Sequence, residues 1–157
     1  MKTTLADVKD FLANHRLAIV GLSRDTNDLS RVIFREMSSR GYDMVPVNPL
    51  ATELEGKRCF ARIQDIEPTV DGALLMTPPA ETEKAVNDCA AASIRHIWMH
   101  RGAGQGAVSR NAVDFCRQNH ILLVEGFCPL MFLRDESFIH RAHGFILKLV
   151  GHYPSAA

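Results

Sequence analysis

Apolar and polar positions alternate along the chain in two distinct rhythms. Five short runs are apolar almost throughout: residues 17–22, 42–47, 70–76, 94–99 and 121–124. Gly and Pro punctuate them. Runs of this length and composition suit strands buried on both faces of a parallel sheet.

Helical patterns lie between the runs. Thr4 is placed to cap a first helix, with Leu5, Val8, Phe11 and Leu12 facing inward. Leu29, Val32, Ile33 and Met37 form an i, i+3, i+4, i+8 stripe, and Gly41 stands where that helix would end. A third helix over 79–92 opens on two prolines, with Glu81 and Glu83 near its start. A fourth over 105–119 turns Val108, Ala112, Phe115 and Cys116 to one side. A last helix is predicted over about 137–150, with Phe138, Ala142, Phe145, Ile146 and Leu149 inward. Residues 56–66 read as a loop with one helical turn.

This alternation predicts an α/β fold: a Rossmann-like, doubly wound parallel sheet of about five strands with helices on both faces. Right-handed crossovers make the order 3-2-1-4-5 natural. No Gly/Ser/Pro-rich linker, low-complexity stretch or internal repeat interrupts the pattern, so a single domain is expected over 1–157.

Composition narrows the function. The chain has 157 residues, 46% apolar and 23% charged, as in an ordinary globular protein. At this length folding buries about 70% of the unfolded surface, so no metal or disulfide staple is needed. Lys plus Arg equals Asp plus Glu, 18 each. That balance argues against a broad nucleic-acid surface and leaves room for a local basic pocket. No apolar run approaches the roughly 20 residues that span a membrane, and the start reads as an amphipathic segment rather than a signal peptide. The four cysteines (Cys59, Cys89, Cys116, Cys128) form no CxxC and no zinc-finger spacing, which fits a reduced, cytoplasmic setting.

In a doubly wound sheet, ligands bind beyond the carboxyl ends of the strands, where the winding reverses. That rule selects five loops: Gly21-Leu22-Ser23-Arg24, Val47-Asn48-Pro49, Thr77-Pro78-Pro79, His100-Arg101-Gly102 and Glu125-Gly126-Phe127-Cys128. The first is not GxGxxG, yet a Gly followed by Ser can bring backbone N–H groups and a hydroxyl to a phosphate, with Arg24 and Arg31 adding charge. Equally, Gly21 can serve only the turn, with both arginines solvated. The second loop lacks the Asp or Glu that takes the ribose hydroxyls of NAD, so NAD is disfavoured. Its alternative reading is a Pro-stopped strand with Asn making a local turn.

Gly21-Leu22-Ser23 after a strand, Gly41-Tyr42 leading to Val45-Pro46-Val47-Asn48-Pro49, and Ile97-Trp98-Met99 together resemble the small CoA-binding protein family. Its members are single Rossmann-like domains similar to the CoA-binding domain of the succinyl-CoA synthetase alpha subunit. The resemblance runs from about Val8 to Val150. It implies that CoA or acyl-CoA rests its diphosphate on the turn at 21–23. It implies further that Val47, Asn48 and Pro49 flank the adenosine side and that Thr77, Pro78 and Pro79 line the pocket. One departure concerns Asp28, where the family often has a basic residue; an acid there would repel phosphate.

Other residues carry chemistry of their own. Cys128, after the fifth strand, could form a mixed disulfide with a thiol ligand or be a small buried hydrophobe. His100, ending the fourth strand, could touch phosphate or substrate, or simply finish the strand. His140 and His143 share a helix face, but no complete metal-ligand set appears, so no metal site is expected. The glycine-rich segment at 102–109 lacks the Gly-Lys-Ser/Thr ending of a P-loop and suits a loop over the site.

Three functions compete. A non-catalytic module would bind CoA through Gly21, Leu22 and Ser23, with Arg24 or Arg31 on phosphate. An enzyme of acyl-group or thiol-redox chemistry would use His100, Glu125 and Cys128 in the same pocket. A regulator would bind NADP or another nucleotide, with Arg24 and Arg31 on the extra phosphate. The small-molecule ligand is the expected partner, with no nucleic acid and no membrane. An exposed sheet edge and zero net charge leave room for a homodimer.

Overall fold

The computed structural model describes residues 3–102 and 104–133. Each apolar run forms a strand: β1 (Arg16–Val20), β2 (Asp43–Val47), β5 (Gly72–Leu75), β6 (His96–Met99) and β7 (Leu122–Glu125). Between β2 and β5, β3 (Glu53–Leu54) and β4 (Lys57–Arg58) make a small antiparallel hairpin. It is followed by the single helical turn expected there, a 3-10 turn at Ile63–Asp65.

The five main strands form one parallel sheet in the order β2-β1-β5-β6-β7. Phe60 extends it beyond β2. Its N–H donates to Pro46 O at 3.0 Å, its carbonyl accepts from Asn48 N–H at 2.9 Å, and it forms a parallel bridge with Val47. The chain thus winds outward from β1 through β2 to Phe60, then crosses back to β5, β6 and β7. The five apolar runs lie in the order 2-1-3-4-5, the run at 70–76 standing beside β1; counted with Phe60 as the third position, the winding follows the expected 3-2-1-4-5 pattern, with β7 as one strand more. The reversal falls between β1 and β5.

Both faces of the sheet are covered, as the continuous apolar runs require. Leu17, Ile19, Leu74 and Trp98 pack with Val8 and Phe11 of α1 (Leu5–Leu12) and Ile33, Phe34 and Met37 of α2 (Leu29–Ser39). Ala18, Leu75, Ile97 and Met99 pack with Val86 and Cys89 of α3 (Pro79–Ala91) and Ala112 and Cys116 of α4 (Arg110–Gln118). Trp98 is fully buried, edge-on to Phe11 with ring centroids 5.3 Å apart, and its indole N–H donates to Phe127 O at 3.2 Å.

Helix boundaries follow local chemistry. Thr4 caps α1 as expected, and Asp7 completes a capping box. Pro79 opens α3 at a position whose N–H would have no helical partner. Two expectations are corrected. The inward face of α2 is Ser30, Ile33, Phe34 and Met37, whereas Leu29 and Val32 are exposed at 44% and 38%. The helix is rotated because Ser30 and Arg31 are drawn inward by polar bonds described below. Helix α4 begins at Arg110 rather than at 105, since Gly104 and Gly106 hold positive-φ loop conformations. Among the described residues no helix is long and apolar enough to cross a membrane. The helix expected over 137–150, with His140 and His143, lies outside the described residues.

Candidate functional site

The reversal between β1 and β5 opens a cleft of about 620 Å³ at the carboxyl ends of the strands. Val20 and Gly21 end one wall, Val47, Asn48 and Pro49 another, and Thr77 the third. These are five of the residues expected from the sequence, plus Val20. Gly21 is what lets the walls meet. Its φ is +87°, and a Cβ there would lie 2.9 Å from Thr77 Cγ2 and 3.1 Å from the Met76 backbone. Only a residue without a side chain fits both conditions without displacement.

Asn48 joins two of the walls. Its amide Nδ2 donates to Leu22 O at 2.9 Å, and its Oδ1 accepts from Leu50 N–H at 2.8 Å. The second bond is an Asx turn, so the local-turn reading of this residue holds. The first ties the β2 loop to the β1 turn across the cleft floor.

The turn at 21–23 is bound largely from within. Gly21 N–H donates to Val47 O at 3.0 Å. Ser23 N–H donates to the hydroxyl of Ser30 at 3.0 Å, and that hydroxyl donates to Asp28 Oδ1 at 2.5 Å. Asp28 also caps α2, its Oδ1 accepting from Ser30 N–H at 2.8 Å. Its carboxylate is therefore satisfied by the positive end of a helix. Two of the three amides expected to cradle phosphate are occupied. The Ser23 hydroxyl accepts from Asp25 N–H at 3.1 Å, which leaves its proton to donate outward.

The two arginines differ. Arg31 is 6% exposed; its Nε donates to Glu55 at 2.6 Å and its Nη1 to Ser23 O at 2.9 Å. It holds the turn and is not presented to a ligand, a correction to its expected role on phosphate. Arg35 also pairs with Glu55, at 2.7 Å. Hydrogen bonds from Arg35 and then Arg31 hold the Glu55 carboxyl below its ordinary value, against the opposing effect of burial. Arg24 is exposed and makes no salt bridge among the described residues; like Ser23 and the fully buried Leu22, it follows Gly21 outside the lining of the cleft.

On the α3 side, Thr77 Oγ1 shares a 2.8 Å hydrogen bond with the fully buried Thr82 Oγ1. Pro78 is exposed just before the helix and Pro79 starts it; neither lines the cleft. Arg62 and Lys84 do line it, opposite in charge to Glu81 and Asp88. No sequence motif marks these four. Lys84 shares a helix face with Glu81 and Asp88 by its spacing, and Arg62 reaches the cleft because Phe60 joins the sheet.

His100, Glu125 and Cys128 do not line the cleft. His100, at the end of β6, is 5% exposed, and its Nε2 has no hydrogen-bond partner. Burial lowers its pKa to about 4, so it is neutral at pH 7. Glu125 faces a groove at the edge of β7: its N–H donates to Thr3 Oγ1 at 2.8 Å and its carboxylate meets Arg117 at 3.2 Å. Cys128 is buried in the core before the 3-10 turn Pro129–Met131. Among the described residues no group of three or more His, Cys, Asp or Glu is placed to hold a metal ion.

A family model described as a CoA binding domain matches residues 15–134. The uncharacterized protein YneT of Bacillus subtilis is 23% identical over 124 residues, 78% of this chain and 89% of its own. An ADP-forming acetate–CoA ligase of Archaeoglobus fulgidus is 27% identical over 94 residues, 59% of this chain and 14% of its own. The match thus spans only a small part of that ligase. A solved structure of a hypothetical protein from Pyrococcus horikoshii has the same fold, with TM-score 0.74 at 21% identity over 80% of this chain and 87% of that one.

Proposed function

The chain belongs to the CoA-binding domain family, and from that premise we propose that it binds CoA or acyl-CoA in the cleft between β1 and β5, as a module without a reaction of its own. One observation carries the reading. The cleft joins Gly21, Asn48 and Thr77, from three strand-end loops, at the point where the winding reverses.

The ligand's parts match the walls. The pyrophosphate lies along the turn at 21–23, where the Ser23 hydroxyl and the Arg24 guanidinium are available to it. Val47, Pro49 and Leu50 offer apolar surface to the adenine, and Lys84 offers positive charge to the ribose phosphate, beside Arg62, which pairs with Asp65 at 2.9 Å. The occupied amides of Gly21 and Ser23 shift the burden of phosphate binding onto side chains.

Placement of Glu125 and Cys128 outside the cleft favours a binding module over an enzyme of acyl-group or thiol-redox chemistry. The absence of a carboxylate after β2 disfavours NAD, and the engagement of Arg31 with Glu55 and Ser23 weakens the case for NADP. Native mass spectrometry of freshly purified protein tests the reading. A mass increment of CoA or an acyl-CoA is expected; retention of a dinucleotide instead would overturn it.

A further inference from the structure

Three buried side-chain polar atoms among the described residues lack a hydrogen-bond partner: Ser38 Oγ, Gln64 Oε1 and His100 Nε2. Such atoms are rare in folded proteins, and each requires a reason. Ser38 lies on α2, and Gln64 already donates to Asp88 at 2.7 Å. His100 alone stands at the carboxyl edge of the sheet, where ligands bind.

Its position is fixed relative to the cleft. His100 N–H donates to Leu75 O at 3.0 Å, which sets it beside Met76, the residue whose backbone abuts Gly21. From the end of β1 to the end of β6 is two inter-strand spacings, about 10 Å. The extended arm between the pyrophosphate and the sulfur of CoA covers that distance. Nε2 itself is buried, and the exposed Gly102 lies against the ring: a Cβ there would be 3.5 Å from His100 Cε1. Of the groups that cover the ring, Gly102 contributes backbone alone.

We infer that His100 Nε2 receives the sulfur end of the ligand, the thiol of CoA or the thioester carbonyl of acyl-CoA, an inference that rests on the CoA reading. A buried neutral imidazole suits an uncharged group and not a phosphate. It has one bare nitrogen and one N–H, so Nε2 accepts from a thiol or, in the other tautomer, donates to a carbonyl. No bond is made or broken, and His100 acts as a specificity residue.

The test compares CoA, desulfo-CoA (which lacks the thiol), acetyl-CoA and adenosine 3′,5′-bisphosphate on wild type, H100L and H100Q. Wild type is expected to prefer CoA over desulfo-CoA by about threefold to tenfold, the value of one net hydrogen bond. H100L should lose that preference and weaken acetyl-CoA similarly, while its affinity for the bisphosphate stays unchanged; H100Q should keep part of it. In ¹⁵N-histidine-labelled wild type, the His100 Nε2 resonance should move with CoA and not with the bisphosphate, which decides the matter even if H100L fails to fold. Equal binding of CoA and desulfo-CoA by wild type, or an unmoved Nε2 resonance in the CoA complex, overturns the role of His100 and leaves the CoA reading standing. Failure of both CoA and the bisphosphate to bind overturns the CoA reading itself.

Discussion

The main-chain N–H of Ser23 donates to the buried hydroxyl of Ser30 at 3.0 Å, across seven residues of chain. This bond binds the β1 turn to the first turn of α2. Ser30→Ala leaves a part-buried donor unpaired and removes the hydroxyl partner of Asp28. A loss of about 1–3 kcal/mol is expected, read as a lower midpoint in urea unfolding. A variant as stable as wild type would show that water replaces the hydroxyl without cost.

Arg24 and Arg31 should separate cleanly. Arg31→Ala removes bonds to Glu55 and Ser23 O and is expected to destabilise the fold by roughly 2–4 kcal/mol, the range for breaking a buried pair, moderated by Arg35. Arg24→Ala touches no such network and should leave stability within about 0.5 kcal/mol. Its effect falls on ligand binding, where loss of one charge-assisted bond to phosphate weakens CoA by about tenfold or more. Paired unfolding and titration experiments check both. Unfolding sensitivity in Arg24→Ala would contradict the assignment.

Gly21→Ala places a Cβ against Thr77 Cγ2 and the Met76 backbone in a left-handed conformation. Strain of about 1–2 kcal/mol is expected from the conformation alone, with displacement of Thr77 added. Thermal unfolding should shift downward, and CoA titration should weaken because the same contact shapes the cleft.

The pH dependence has a definite sign. The His100 imidazole takes a proton at about 4 in the fold and at the ordinary 6.5 when unfolded. Between those values the unfolded chain binds more protons, so stability falls as pH falls. The contribution is fully present above about 6.5 and reaches a loss of roughly 3 kcal/mol near pH 4. Glu55 and Asp65, both lowered by arginine partners, lose stability at more acid pH in either protein. The difference between wild type and His100→Gln in urea unfolding at pH 7 and pH 4.5 isolates the imidazole. Parallel pH curves for the two proteins would contradict its burial as a neutral group.

The strands were legible because two-sided burial writes itself as continuous apolar runs. Thr4 and Pro79 were legible because capping chemistry is local. The inward face of α2 was not, since Ser30 and Arg31 are polar and turn inward for partners, Ser23 and Glu55, distant in sequence. The long-range bond to Glu55 hid the true role of Arg31, whereas Asp28 is held by Ser30 two residues on, a local N-cap that a reading of its charge alone misses. Phe60 gave no strand signal because it contributes one bridge, and with it the place of Arg62 in the cleft was unreadable. Gly21, Asn48 and Thr77 were found because the ends of strands beside a winding reversal are set by topology.

Calorimetric titration of CoA into wild type and Arg24→Ala, with NADP as competitor, tests the central claim most directly. Binding of CoA to wild type at micromolar Kd or tighter, about tenfold weaker in Arg24→Ala and unaffected by NADP, is the predicted result. A protein that binds NADP in place of CoA, or binds neither, contradicts it.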